Sequence, residues 1–461
     1  MMFQQLDKIV FSFDKPLRAA IKSLNETAKI TDSNGFAIIV DKNGRAIGVL
    51  SDGDIRRKLV ANVTLDEPVS VAMKTDYISV SKEHTTHQIL RLFDSKISNI
   101  PLIDEDGRPI DLFCYSQFKA LSYSTPRIIR ARVPVRISFS GGGTDMSPHI
   151  NSKSAFIFSS TINKYCTATV LPRDDGRIHI SSKDLEQSCE SSSLEELNYD
   201  GKLDLLKAAV LVMQPDFGFN LETSSDTEIG TGLGGSSAMV VAVIGALNYF
   251  RNENQLDSYH IADLAYQAER IELGIEGGWQ DQYTTTFGGF NWVEFRQNEV
   301  LVNPLRLQRE VLLELEYNLM LFRIGEKHDS GLIQREMIER TKLTEQKHLL
   351  QEMTDLAVQM KETLLRGNVK EFGDLLHKAW EKKKSINLNV STPLIDQCYQ
   401  TARELGALGG KLLGAGQCGY MLIYASPLHQ IKIRESLGGF GCRQEPLRFT
   451  DSGLEVWSTK R

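Results

Sequence analysis

The chain has 461 residues, 41% of them hydrophobic, and a formal net charge of −6. That length exceeds one ordinary domain and supplies apolar side chains for two or more cores, and so small a charge gives no sign of a nucleic-acid surface. No apolar run approaches the roughly 18 residues of a membrane span, and the start, Met1 to Asp7, lacks a basic region followed by a long apolar stretch. The six cysteines are scattered without a C-x-x-C pair, so we expect a cytoplasmic protein with reduced thiols, no membrane partner, and neither a disulfide nor a zinc framework.

Residues 1–125 are expected to form one unit, because they carry an internal repeat. Ala37-Ile-Ile-Val-Asp41-Lys-Asn-Gly44-Arg45-Ala-Ile47 recurs 63 residues on as Pro101-Leu-Ile-Asp104-Glu-Asp-Gly107-Arg108-Pro-Ile110. Each copy reads as an apolar strand, a tight turn, a second strand and a helix. The unit resembles a CBS-domain pair, a tandem of small α/β modules that often binds adenine nucleotides. The segment Gly48 to Arg57 is similar to its nucleotide-binding signature, which implies Ser51 at a phosphate and Asp54 at the ribose hydroxyls. At the same offset Ser51 becomes Cys114 and Asp54 becomes Gln117, so at most one complete ribose site is expected. A pair that only forms a homodimer, or only spaces the unit that follows, stays open beside regulation. Ser122 to Arg127, polar and containing Pro126, reads as the linker.

Three glycine-rich segments follow: Ser140 to Asp145, Gly230 to Ala238, and Gly410 to Gly416. The middle one has the spacing of a phosphate loop with Ser236 in place of the Walker lysine. The apolar run 238–247 predicts a helix directly after it, whose free N–H groups and positive dipole end suit a polyphosphate. The same glycines fit a dinucleotide loop, although the polar stretch Ser224 to Glu228 stands where a buried strand is needed, and a purely structural turn also stays open.

Pro134 to Asp145, Gly232 to Ala238 and Lys411 to Gly416 resemble, in order, the three motifs of the GHMP kinases. From about residue 127 to the end the chain looks like this family, which implies an α+β fold of two lobes (about 127–300 and 301–461) with ATP and a small molecule meeting between the glycine loops. The resemblance further implies ATP at Gly230, Gly232, Leu233, Gly234, Gly235, Ser236, Ser237 and Ala238, and Mg2+ on Ser237 and Glu269. It places Asp281 as catalytic base, and the sugar at Arg136, Gly142, Gly143, Thr144, Asp145, Gly414, Ala415 and Gly416. Glu269 is expected on a helix from Tyr259 to Gly274, Lys411 as a support of the third loop, and Trp279 in packing.

Arg136 to Asp145 and Gly278 to Asn291 look most like the family's heptose 7-phosphate kinases, implying transfer to the anomeric hydroxyl in the supply of nucleotide-activated heptose for surface polysaccharide. His328 stands where those kinases carry arginine, and histidine lacks the bidentate fork that suits phosphate. Arg136, Arg323 or Lys327 can take its place, or the substrate carries its phosphate elsewhere, or it is a free sugar such as fucose or galactose. A catalytically weak nucleotide sensor is the third reading.

Overall fold

The computed structural model of the protein describes residues 6–28, 35–81, 84, 88–89, 92–93, 97–115, 127–146, 154–228, 230–297, 299–325 and 344–460. The chain divides into two units, Met1–Pro126 and Arg127–Arg461. Among the described residues no helix is long and apolar enough to cross a membrane.

In the first unit, β1 (Val10–Ser12), α1 (Leu17–Thr27), β2 (Phe36–Val40), β3 (Ala46–Ser51) and α2 (Asp52–Val60) build one copy of the repeat. Every residue of β2 is buried, as its unbroken apolar sequence requires; it pairs parallel to β1 and antiparallel to β3. β4 (Asn99–Ile103) and β5 (Pro109–Cys114) form the second hairpin. Both hairpins turn on an aspartate whose Oδ1 accepts two backbone N–H groups: Asp41 from Asn43 at 2.8 Å and Arg45 at 2.9 Å, Asp104 from Asp106 at 3.0 Å and Arg108 at 2.7 Å. Such Asx turns explain why aspartate recurs at the repeat's offset. The backbone N–H of Ala46 donates to Gly107 O at 2.9 Å, joining the copies. The helix expected after β5, with Gln117, lies outside the described residues, as do 122–126 of the linker.

The second unit opens with the long antiparallel pair β6 (Arg127–Ser140) and β7 (Ala155–Arg173), followed by β8 (Ile178–Ser182), β9 (Gln187–Ser191), α3 (Asp204–Met213) and β10 (Gly218–Ser225). Next come α4 (Gly235–Asn248), α5 (Ser258–Tyr266), α6 (Gln280–Phe287), β11 (Asn291–Arg296) and β12 (Glu299–Pro304). Then follow α7 (Arg309–Asn318), β13 (Leu319–Ile324), α8 (Thr344–Leu365), α9 (Val369–Ile386), α10 (Pro393–Glu404), β14 (Ala407–Leu412), β15 (Gly419–Ala425), α11 (Pro427–Gly439), β16 (Arg443–Glu445), β17 (Phe449–Thr450) and β18 (Glu455–Lys460). A nine-stranded sheet runs β12-β11-β7-β10-β8-β9, with β6 and β17 also on β7 and β18 on β6; a four-stranded sheet runs β14-β15-β13-β16.

This is the mixed α+β architecture expected, with two differences. The terminal strands β17 and β18 return to the first sheet, Glu455 pairing with Arg132 and Phe449 with Ile162, so a division at about residue 300 does not follow the chain. The helix expected from Tyr259 to Gly274 is α-helical only to Tyr266 and then widens into a π turn, Gln267–Glu272. The apolar run does give a helix: every residue of α4 except Ser236 is buried, as befits a helix apolar on all sides. Phe139 of β6 packs on Phe158 at 5.1 Å, Phe290 at 5.9 Å and, edge-on, Phe372 of α9 at 5.2 Å, which ties the first sheet to a helix that lies between β13 and β14 of the second in chain order.

Candidate active site

Backbone contacts that only glycine permits bring the second and third loops together. Gly232 and Gly414 have φ of +85° and +69°; a Cβ on Gly232 would stand 2.5 Å from Leu413 O, and one on Gly414 2.1 Å from the Gly232 Cα. Gly234, at φ +72°, is the N-cap of α4 and supplies no side chain to its first turn, so the amides there are available to an anion.

Behind that turn sits a buried oxygen cluster. Ser237 Oγ donates to Glu269 Oε2 at 2.5 Å, Gln282 Nε2 donates to Ser237 Oγ at 3.1 Å and also to Glu269 Oε2, and the π turn buries Glu269 completely. Among the described residues, Glu269 Oε1 and Gln282 Oε1 are buried without a partner. One carboxylate, one hydroxyl and one amide oxygen suit a hard cation such as magnesium, which takes few protein ligands and completes its shell with phosphate oxygens and water.

Arg136 links the glycine loop to the acid. From β6 its Nη1 donates to Gly232 O at 2.6 Å, while Nε and Nη2 reach Asp281 Oδ1 at 2.7 and 2.6 Å. Asp281 lies on the first turn of α6. Asp145, buried, accepts from Gly143 N at 3.1 Å and Gln280 N at 2.9 Å. Burial pushes its carboxyl above the usual range, and the charge of Asp281 adds to the effect. Gly278 makes room for it, since a Cβ there would stand 2.0 Å from Asp145 Oδ2.

Arg136, Gly142, Gly143, Asp145, Asp281, Gly414 and Ala415 line one cleft. Thr144 turns away, its Oγ1 on Gly141 O at 2.7 Å, and Gly416 packs against Val390; both shape their loops without lining the cleft. Leu233, Gly235 and Ala238 of the second loop are buried, the last two within α4. Lys411 donates to Phe139 O at 3.1 Å, and Trp279 stacks on Tyr266 with ring centroids 3.5 Å apart. Arg323 is held by Glu228 at 3.0 Å and by the carbonyls of Ile324 and Gly325; Lys327 and His328 lie outside the described residues.

Sequence reasoning missed Ser138, Arg270 and Lys383, which line the same cleft, and Gln282. In the first unit Ser51 and Asp54 form a capping box on α2: Asp54 N donates to Ser51 Oγ at 3.3 Å and Ser51 N to Asp54 Oδ2 at 2.9 Å. Arg57 lies 2.5 Å from Asp54 Oδ1.

Residues 204–289 match the GHMP kinases N terminal domain, 360–440 the GHMP kinases C terminal domain, and 7–61 and 69–116 the CBS domain. The chain is 36% identical over 339 residues to the D-glycero-alpha-D-manno-heptose 7-phosphate kinase of Campylobacter jejuni, a match spanning 72% of this chain and 99% of that protein. A solved D-glycero-D-manno-heptose 1-phosphate kinase from Bacteroides thetaiotaomicron is 31% identical, covering 71% of this chain and 98% of that one with a TM-score of 0.59. The galactokinase of Lactococcus lactis, at 19% identity, shares the fold, with a TM-score of 0.58 over 75% of this chain and 98% of that one.

Proposed function

The chain belongs to the GHMP kinases, and on that premise we propose that it transfers the γ-phosphoryl group of ATP to the anomeric hydroxyl of D-glycero-D-manno-heptose 7-phosphate, giving the 1,7-bisphosphate. The 36% identity to a heptose 7-phosphate kinase along nearly the whole of that protein supports the substrate. The observation that carries the mechanism is the Arg136 bridge, three short contacts joining the acid Asp281 to the carbonyl of Gly232.

Phosphoryl transfer asks the protein mainly to align the nucleophile and to offset charge on the phosphates. Asp281 accepts the proton of the sugar hydroxyl, and Arg136 fixes its carboxylate in place. Asp145 orients the sugar through a neighbouring hydroxyl. The uncapped first turn of α4 offers its N–H groups to the polyphosphate. Ser237 and Glu269, with Gln282 beside them, would hold a magnesium ion, which would supply neutralisation of the nucleotide's phosphate charge.

An ADP-release assay across heptose 7-phosphate, free heptose, fucose, galactose and other sugar phosphates tests this reading. Heptose 7-phosphate should give the highest kcat/KM. A free sugar turned over faster overturns the substrate, and no turnover with any of them leaves a nucleotide-sensing protein.

A further inference from the structure

The cleft that holds Asp145 and Asp281 also holds two lysines, Lys383 from α9 and Lys411 from β14. They are 8% and 3% exposed, and among the described residues neither has a carboxylate within ion-pair distance. Lys383 Nζ donates to Leu412 O at 3.0 Å and Gly414 O at 2.5 Å, and Lys411 Nζ to Phe139 O at 3.1 Å. An ammonium has three N–H donors, so among the described residues one on Lys383, which also lies 5.9 Å from the centroid of the Trp380 ring, and two on Lys411 have no hydrogen-bond acceptor. Ser138, nine-tenths buried in the same wall, has an Oγ without a partner among the described residues. Buried charge is normally paired, and a buried hydroxyl normally bonded.

We propose that Lys383, Lys411 and Ser138 form the seat for the phosphate that the sugar substrate already carries. The claim rests on the sugar-phosphate kinase reading above and names the residues that make the enzyme select a phosphorylated sugar. Two features favour the substrate's phosphate over that of ATP. The wall of the cleft includes the sugar-side groups Gly142, Gly143, Asp145 and Asp281. The α4 amides and the Ser237–Glu269 cluster, which serve a nucleotide, are not part of that wall. A dianion would bridge the two ammonium groups and relieve their mutual repulsion. Without it, burial first and then the neighbouring cations push both lysines down, Lys411 to about 7.

The rival role is mechanical, since Lys383 also ties the third loop through Gly414. The test therefore reads a ratio that a latch would not move: kcat/KM for heptose 7-phosphate over kcat/KM for unphosphorylated heptose, with the KM for ATP alongside. In full-length Lys383→Met and Lys411→Met, each shown to fold by thermal melting, the ratio should fall about 10- to 100-fold, as expected for losing a charge-assisted contact. The change should lie in KM for the sugar phosphate, with the KM for ATP within about threefold of wild type. Both substrates slowing equally identifies a latch and overturns the site; a raised ATP KM with the ratio kept assigns the lysines to the nucleotide and also overturns it. Should Lys383→Met not fold, Lys411→Met and inhibition of the wild type by inorganic phosphate decide: competition with the sugar phosphate supports the seat, and competition with ATP alone removes it. A wild type indifferent to the sugar's phosphate overturns the function itself, a result seen before any variant is made.

Discussion

At the level of single residues, the proposed mechanism turns on Asp281, the acid that Arg136 grips. Asp281→Asn keeps the shape that Arg136 grips but cannot take up a proton, so kcat should fall by about 10² to 10⁴ with little change in the KM for ATP. Steady-state kinetics checks this, and near-normal turnover would remove the residue from the role of base. A second expectation follows from Lys411, held at about 7 by burial and by Arg136, with Lys383 beside it and Asp145 and Asp281 in the same wall. An anion prefers the protonated ammonium, which is present below pH 7 and titrates away above it. The KM for the sugar phosphate should therefore rise between about pH 7 and 9, whereas a flat KM across that range would mean that Lys411 does not meet the anion. Asp281, Glu269, Ser237 and Arg136 were legible because motif spacing singles them out. Lys383 was not, because it sits in the run Lys382-Lys383-Lys384, which reads as a solvated face. Its neighbours do pair outward, Lys382 with Glu352 and Lys384 with Glu381. Burial of Leu376, Ala379, Trp380, Lys383 and Ile386 shows that the 3.6-residue periodicity of α9 carries the signal.

Among the elements, the first turn of α4 and the π turn act as one unit, since Ser237 and Glu269 meet only because the first follows Gly234 and the second buries Ala268 and Glu269 in succession. Ser237→Ala and Glu269→Gln should each raise the magnesium concentration needed for half-maximal rate and weaken binding of manganese measured by electron paramagnetic resonance. Metal titrations that coincide with wild type in both variants would take these side chains out of the site. The loop contact is testable by contrast. Gly414→Ala places a Cβ 2.1 Å from the Gly232 Cα and should cost at least about tenfold in activity, while Gly176→Ala, at a similar φ of +72° but with nothing within 4 Å, bears only the backbone strain of about 1–2 kcal/mol. Equal losses in the two would show that the packing of the loops is unimportant. The helix α4 could be read from its apolar run, but the π turn could not, because the residues from Tyr259 to Gly274 carry an ordinary helical pattern and the wider winding depends on tertiary contacts. The return of β17 and β18 to the first sheet was equally hidden: Glu455 pairs with a residue more than 300 positions earlier, and no local pattern encodes so distant a partner.

For the whole molecule, the question is whether the two units communicate. The repeat was legible in the sequence because both hairpins reuse the same Asx turn, and a capping box now accounts for Ser51 and Asp54 without any ligand. That box alone predicts that Ser51→Ala lowers the stability of the first unit by about 0.5–2 kcal/mol. A nucleotide role demands more. Cys114, in the place of Ser51 in the second copy, is 1% exposed and offers a weak donor at best, so the pair should take at most one adenine nucleotide. Calorimetry on the full chain with AMP, ADP and ATP should show that stoichiometry at a site separate from the kinase cleft, and Asp54→Ala should abolish it by removing the acceptor for the ribose hydroxyls. Regulation then requires the ligand to bind one kinase conformation more tightly than another, because equal affinity for both shifts nothing. Kinase rates at saturating sugar phosphate, with and without the nucleotide that binds, read this coupling directly, and Asp54→Ala should erase any difference. If no nucleotide binds outside the kinase cleft, the first unit is left with assembly, and sedimentation of the full chain beside a version beginning at Arg127 should show a homodimer that the shorter chain cannot form.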